Sequence, residues 1–446
     1  MALSRITRQT LEVLGSSLGE VRPRDPGTIF PPFLRNDWSS GVEVTTSWMT
    51  DMRQSEWYLR EDAVSLKTRP TLSVTASLFG TDNEESFQHL LAGMRLSRGE
   101  HPVPLWSDFV RLTAAPSSVL LPCDPSYRRF YPGQRVGIVK NDWSRVTFPG
   151  PATGFVEYGI VDQVTSRGIL LTEAPVASWG KNDMVYPMID CLPLPSLSGT
   201  LHTDHHMSSS ISVTEFGGMS NLPPTFRELP EHLYDVHTVN NETLPVVSFN
   251  EWTNAPRIAL RMPGGSIQSG KGMIENTMGY NPLLSWQFSV LFESREKAWE
   301  LQQLFDACRG RGRQMFFINP LTTFDVKQMG TTYVKVGNVD NMSELLDGQY
   351  IKEVGIEMAD GERVFRRVDS ITADGDDWRL NFDQTYNGGG TPVRVSTAHQ
   401  ARFGSDSLTF RWLTDQVCEC SFEIVESRNS LVGVSVKYLT DGHNPV

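Results

Sequence analysis

"CRGRGRQMFFINP", residues 308–320, packs Arg309, Arg311 and Arg313 against Gly310 and Gly312, then passes to the aromatic pair Phe316 and Phe317. The residues before it, "REKAWELQQLFDA" at 295–307, place apolar side chains three and four apart, the spacing of an amphipathic helix. Cations suit the negative end of a helix dipole, and glycine ends a helix. The run therefore reads as a helix exit into a short strand. A nearly parallel arrangement stands upstream, where "MRLSRGEHPVPLW" at 94–106 follows the helical pattern "EESFQHLLAG" at 84–93. Arg95, Arg98 and Gly99 answer Arg309, Arg311 and Gly312, with an offset of 312 − 99 = 213 between the glycines. A feature present twice at matching places is a requirement of the fold before it is a nucleic-acid site. A salt bridge to a neighbouring subunit or a contact with passing DNA are the remaining functional readings.

Working outward, more of the chain is written twice. "RNDWSSGVEV" from Arg35 is matched by "FNEWTNAPRI" from Phe249, which pairs Trp38 with Trp252 at 252 − 38 = 214. "PTLSVTASLFG" at 70–80 faces "LLSWQFSVLFE" at 283–293, with Leu78 and Phe79 set on Leu291 and Phe292. "TDHHMSSSISVTE" from Thr203 matches "TDQVCECSFEIVE" from Thr414. The expected layout is an arm over 1–35, a first domain over 36–216, a linker over 217–249, a second domain over 250–427 and a tail over 428–446. Trp38 and Trp252 stand as duplicated core or interface anchors.

Much of each copy alternates with period two. "SLTFRWLTDQVCECSFEIVE" puts Leu408, Phe410 and Trp412 on one side and Cys418, Cys420, Phe422 and Ile424 on another run's single face, a hairpin of half-buried strands. With one helix per copy, the expected class is α+β and β-rich: tandem duplicated sandwich or open-barrel domains, each with one packed helix.

The 446 residues carry 40 Lys and Arg against 52 Asp and Glu, a net charge of −12, which argues against a duplex-binding surface. No run of 18 apolar residues predicts a membrane helix, and "MALSRITRQTLEVLGSS" lacks the apolar centre of a secretory signal. Five cysteines without CxxC spacing predict free thiols, with neither a disulfide framework nor a zinc site.

Several motifs imitate chemistry. "GSIQSGKG" at 265–272 nearly matches a phosphate-binding loop, but Gly272 replaces the hydroxyl residue that would hold magnesium, so a mobile loop is expected. His202, Asp204, His205 and His206 suggest a divalent metal, yet Leu413, Gln416 and Val417 stand opposite the histidines in the second copy, so the fold does not need them. "DGDD" at 374–377 pairs carboxylates in turn-like sequence, where solvation rather than glycoside chemistry is expected. No GxSxG or HExxH is present. No cofactor, metal or catalytic residue is assigned, and an enzyme is not expected.

The helix exit, the sheet-rich copies and the stretch "VEVTTSWMTDMRQSEWYLREDAVSLKTRPTLSVTASLFG" at 42–80 resemble phage distal-tail and baseplate hub proteins with tandem tail-tube-like domains. That resemblance implies a structural virion protein, assembled in host cytoplasm, in which three chains imitate a six-fold ring; a homohexamer is the other arrangement. It implies the tail tube protein, the tape measure protein and other baseplate or fibre proteins as partners, with DNA passing through the channel without specific binding. Net charge alone predicts an acidic lumen. The competing reading is a glycan-binding or glycan-cleaving host-surface adhesin.

Overall fold

A computed structural model describes residues 35–36, 38–55, 60–81, 101–141, 156–191, 198–203, 206–215, 235–239, 242–249, 252–261, 265–269, 272–276, 283–337, 353–359, 363–386 and 390–427. The protein is β-rich, with one α-helix among the described residues, Arg295–Cys308 (α1). Arg95, Arg98 and Gly99, and the helix expected before them, lie outside the described residues.

The centre is a run of antiparallel strands. In the first half, Thr71–Thr81 is flanked by Val42–Ser47 and His206–Thr214, and His206–Thr214 pairs onward with Ser198–Thr203. In the second half, Leu283–Phe292 is flanked by Arg257–Arg261 and Cys418–Glu426, and Cys418–Glu426 pairs onward with Ser407–Trp412. The order of partners is the same in both. The alternation read from the sequence is real: Leu72, Val74 and Ala76 point into the core, as do Trp286, Phe288, Val290 and Phe292.

One expected match needs correcting. Setting Leu78 on Leu291 requires an odd offset, which would lay buried Val74 on exposed Gln287. Side chains alternate across a strand, so a one-residue slip reverses the faces. The ladders themselves decide. Ala76 pairs with Ile211, and Phe288 pairs with Phe422, and all four are buried. The counterpart of Ala76 is Phe288, an offset of 288 − 76 = 212.

Each half also carries a smaller group of paired strands with its own core. In the first half, Met184–Cys191 pairs with Arg135–Val139, which pairs with Val156–Thr165, which pairs with Gly168–Leu171, which pairs with Leu120–Pro122. In the second, Pro392–Phe403 pairs with Glu353–Met358, then Arg363–Asp374, then Asp377–Phe382, then Tyr333–Val336. The irregularities recur with the strands. A bulge between Val161 and Gln163 is answered by one between Val368 and Ser370. Val110 pairs with Val185 beyond an interruption, as Phe324 pairs with Val395 beyond another, and all four are buried. Separate cores fill the two groups, around Ile138, Val161 and Leu121 and around Ile356, Val364 and Leu380.

The halves are not separate beads. Val42–Ser47 of the first half pairs with Ser407–Trp412 of the second, in register from Val42↔Trp412 to Ser47↔Ser407. A single core runs beneath both sheets, from Val42 and Val74 through α1 residues Leu301, Leu304 and Phe305 to Ile424. The expected linker is also partly structure. Asp235–Val239 and Glu242–Val247 form a hairpin, and Val246 and Val247 pair in parallel with Phe316 and Phe317. Residues 217–234, 1–34 and 428–446 lie outside the described residues.

Candidate functional site: the seam between the halves

The exit from α1 shows how the Arg/Gly run is used. Helices commonly close on a left-handed residue, and glycine takes that conformation most cheaply. Here Arg309 itself adopts φ 54 and ψ 49 and its N–H bonds back to the carbonyls of Asp306 and Phe305. Gly310 follows at φ 64, where a Cβ would stand 2.8 Å from Asp406 Oδ1 and 3.2 Å from Trp48 Cβ. No basic residue lies in the helix's last turn, so the expected dipole role of the arginines is not the one observed. Arg311 instead donates to Asp406, from its backbone N–H to Oδ1 at 3.0 Å and from Nη2 to Oδ2 at 3.2 Å. Gly312 closes the turn, its N–H donating to Arg309 O at 3.2 Å.

Asp406 belongs to the seam. It also accepts from Thr50, through the backbone N–H at 2.9 Å and Oγ1 at 2.8 Å, and its carbonyl accepts the N–H of Trp48 at 2.8 Å. One carboxylate thus ties the α1 exit to the first half. Its pKa lies below the ordinary value: burial opposes the charge, and the bonds from Arg311 and Thr50 outweigh it.

Further along the seam is a buried polar network. Asp108, fully buried, accepts from Arg129 Nη1 at 3.0 Å and from Arg295 Nη1 of α1 at 3.1 Å. Burial again works against the carboxylate, and the two guanidiniums hold it in the charged form. Arg129 Nη2 donates to Gln302 Oε1 at 3.3 Å, and Thr46 Oγ1 donates to the same oxygen at 3.2 Å. Gln302 Nε2 donates to Asp306 Oδ2 at 2.9 Å, and Trp48 Nε1 donates to Asp306 Oδ1 at 3.0 Å. Burial lifts the Asp306 carboxyl to about 6 against those bonds. The Arg295 guanidinium also lies 4.1 Å from the Trp412 ring centroid, a stacking that suits its weakly hydrated plane. Asp108, Arg129, Thr46 and Trp48 come from the first half, and Arg295, Gln302, Asp306 and Trp412 from the second. No local signal announces such a network, because each member is isolated in sequence.

The opposite face of the continuous sheet is different in kind. Hydroxyls meet across three of its ladders: Thr45 with Thr409 at 2.8 Å, Ser47 with Ser407 at 2.9 Å, Ser73 with Thr214 at 3.0 Å, Thr75 with Ser212 at 3.1 Å and Ser289 with Ser421 at 3.1 Å. These strands place few charges on that face; Glu43, Arg411 and Glu419 are among them, and Arg411 Nη1 lies 3.5 Å from Glu419 Oε2.

The two tryptophans part company. Trp38 is half-buried and packs on the core beside Phe109, with ring centroids 6.3 Å apart. Trp252 is exposed, so it is not a core anchor within one chain. The loop imitators resolve into structure. Gly265–Ser269 and Gly272–Asn276 form a hairpin with Ser269 opposite Gly272, not the expected loop, and the next described element is the strand Leu283–Phe292, where phosphate binding would need a helix. It sits between Arg257–Arg261 and Leu283–Phe292, as the hairpin Thr50–Ser55 with Arg60–Ser65 sits between Val42–Ser47 and Thr71–Thr81. Asp374 and Asp377 flank a hairpin turn and are neutralised by Lys335, 3.6 and 3.4 Å away, and Arg379 reaches Asp374 at 3.1 Å. His202 and His206 lie in paired strands, while Asp204 and His205 fall outside the described residues. All five cysteines are buried free thiols, and Cys418 and Cys420 share one face as expected.

No family model and no curated protein matches the chain. Among solved structures it is similar to the N-terminal CBM22-1-CBM22-2 tandem domain of Paenibacillus barcinonensis Xyn10C, at 10% identity over 88% of this chain and 95% of that one. The TM-score is 0.11, so the likeness carries no argument.

Proposed function

We propose that the protein is a structural ring subunit of a phage tail tip, at the distal-tail or hub layer, built from two tandem copies of one tail-tube-like unit. The observation that carries this reading is the pair of similar halves joined edge to edge into one sheet with a face rich in hydroxyls. Two copies of one unit in each chain let three chains present six nearly equivalent positions, so a three-fold tip can meet a six-fold tube. α1 and the core lie on one side of the sheet, which leaves the hydroxyl face to line the channel. A surface rich in Ser and Thr offers a passing polyanion or protein chain little fixed charge to hold it. The partners of this reading are further copies of the chain, the tail tube protein, the tape measure protein and other baseplate or fibre proteins.

The test is the mass of the purified protein by light scattering, with negative-stain images of the same fraction. Rings of three chains, about 150 kDa from 3 × 50.0 kDa, are the expected result. Six-chain rings would place one copy outside the channel. A single chain that binds a glycan array would overturn the reading in favour of an adhesin.

A further inference from the structure

The seam inside the chain joins the first strand of one half to the outer hairpin strand of the other. Arg257–Arg261 stands in its half where Val42–Ser47 stands in the first: each is the outer partner of the central strand, Ile258 opposite Trp286 and Val44 opposite Val74. Ser198–Thr203 stands where Ser407–Trp412 does, each the outer strand of the closing hairpin, Leu201 opposite Met207 and Trp412 opposite Cys418. Val42–Ser47 and Ser407–Trp412 pair with each other. Among the described residues, the residue-by-residue pairing of Arg257–Arg261 is with Leu283–Phe292 alone and that of Ser198–Thr203 with His206–Thr214 alone.

We propose that Arg257–Arg261 of one chain pairs antiparallel with Ser198–Thr203 of the next, repeating the internal seam between molecules and closing the ring. This rests on the ring reading above and names its interface. Two observations support it. Val44 and Thr46 are 0% exposed at the internal seam, whereas their counterparts Ile258 and Leu260 are 46% and 64% exposed on the same side of the sheet. Trp252, counterpart of half-buried Trp38, is exposed beside the same edge. An apolar open edge that a monomer would normally blunt fits a second copy of the chain. The contact is head to tail, the kind that generates rings.

Register follows by transfer. Thr45↔Thr409 becomes Ala259↔Ser198, and Val44↔Phe410 becomes Ile258↔Gly199. Since the Thr45 and Thr409 hydroxyls touch at 2.8 Å, cysteines at Ala259 and Ser198 would meet across the interface. The A259C/S198C protein is oxidised mildly and run on a denaturing gel, with T45C/T409C as the in-chain control and R261C/S198C as the off-register control. Covalent dimers and trimers from A259C/S198C, a single-chain product from T45C/T409C and none from R261C/S198C is the expected result. Three-chain rings that link only through the off-register pair, or through neither, overturn this interface and leave the ring reading standing. A single chain at every concentration, with no cross-link, overturns both. Leu260→Asp, at an exposed position, is a second measure: at least a tenfold rise in the concentration needed for assembly is expected, with melting of the single chain unchanged. Assembly unaffected by Leu260→Asp overturns the interface.

Discussion

Val42–Ser47 and Arg257–Arg261 occupy the same place in their respective halves, yet one is the middle of a sheet and the other its edge. The first alternates Val44 and Thr46 into the core beneath α1; the second turns Ile258 and Leu260 the same way, with solvent over them. The apolar pattern is the same and the environment is not. An exposed apolar pair on an edge strand raises the question of a partner, whereas scattered exposed leucines do not. The internal seam also has a polar clamp, Asp108 with Arg129 and Arg295. We read this as a permanent joint inside the chain and a separable, more apolar joint between chains.

The comparison can be broken most sharply at Val44. Val44→Asp gives up apolar burial and inserts an unpaired carboxylate under α1, so a loss of about 4–6 kcal/mol is expected in urea unfolding. A loss under 1 kcal/mol would mean that the internal seam is not a joint at all. Next comes the clamp. Asp108→Ala leaves two buried guanidiniums without their carboxylate and should cost about 3–5 kcal/mol, read by denaturant or thermal unfolding. If the variant is as stable as the parent, the network does not hold the halves together.

At the α1 exit, Gly310→Ala forces a side chain into the left-handed region and against the Asp406 carboxylate, an expected cost of about 2 kcal/mol. Arg309→Gly, at the residue before it, should be neutral or slightly stabilising, because glycine relieves a left-handed arginine. Asp306 gives a pH signature. Its carboxyl sits at about 6 when folded, above the ordinary 3.8, so the folded state holds its proton more tightly than the unfolded one. Stability from this group is full below about pH 4 and is lost as pH rises towards 6. Asp306→Asn should flatten that part of the stability–pH curve and leave the protein up to about 2 kcal/mol more stable at pH 7. An unchanged slope between pH 4 and 6 would remove Asp306 as its source. The smallest effect belongs to the twin of the first variant: Ile258→Asp should change the stability of the single chain by less than about 0.5 kcal/mol, while a loss comparable to that of Val44→Asp would show the edge already covered within the chain.

Much of this architecture is legible in the residues themselves. The alternation of Leu408, Phe410 and Trp412 and of Cys418, Cys420, Phe422 and Ile424 gives the closing hairpin, and the three- and four-residue spacing before Arg309 gives α1. Trp38 and Trp252, and Thr203 and Thr414, mark the repetition. These signals are readable because strand and helix periodicity are local: each residue's face is set by its near neighbours. The match of Leu78 to Leu291 failed for a related reason. Residue likeness cannot see the pleat, and only the pairing of Phe288 with Phe422 fixes which face each residue takes.

Tertiary structure alone decided which edges meet. The bond between Val42 and Trp412 spans most of the chain, and nothing near either residue selects the other. Asp108, Arg129, Arg295 and Gln302 are unremarkable singly, and their meaning comes from being brought together without water. The sequence by itself determined the β-rich class, the closing hairpin and α1, because those depend on short-range periodicity. The folded chain decided that one pair of equivalent edges is closed and the other open, because a single chain has one seam to make between two copies and two copies have more than one pair of edges to offer.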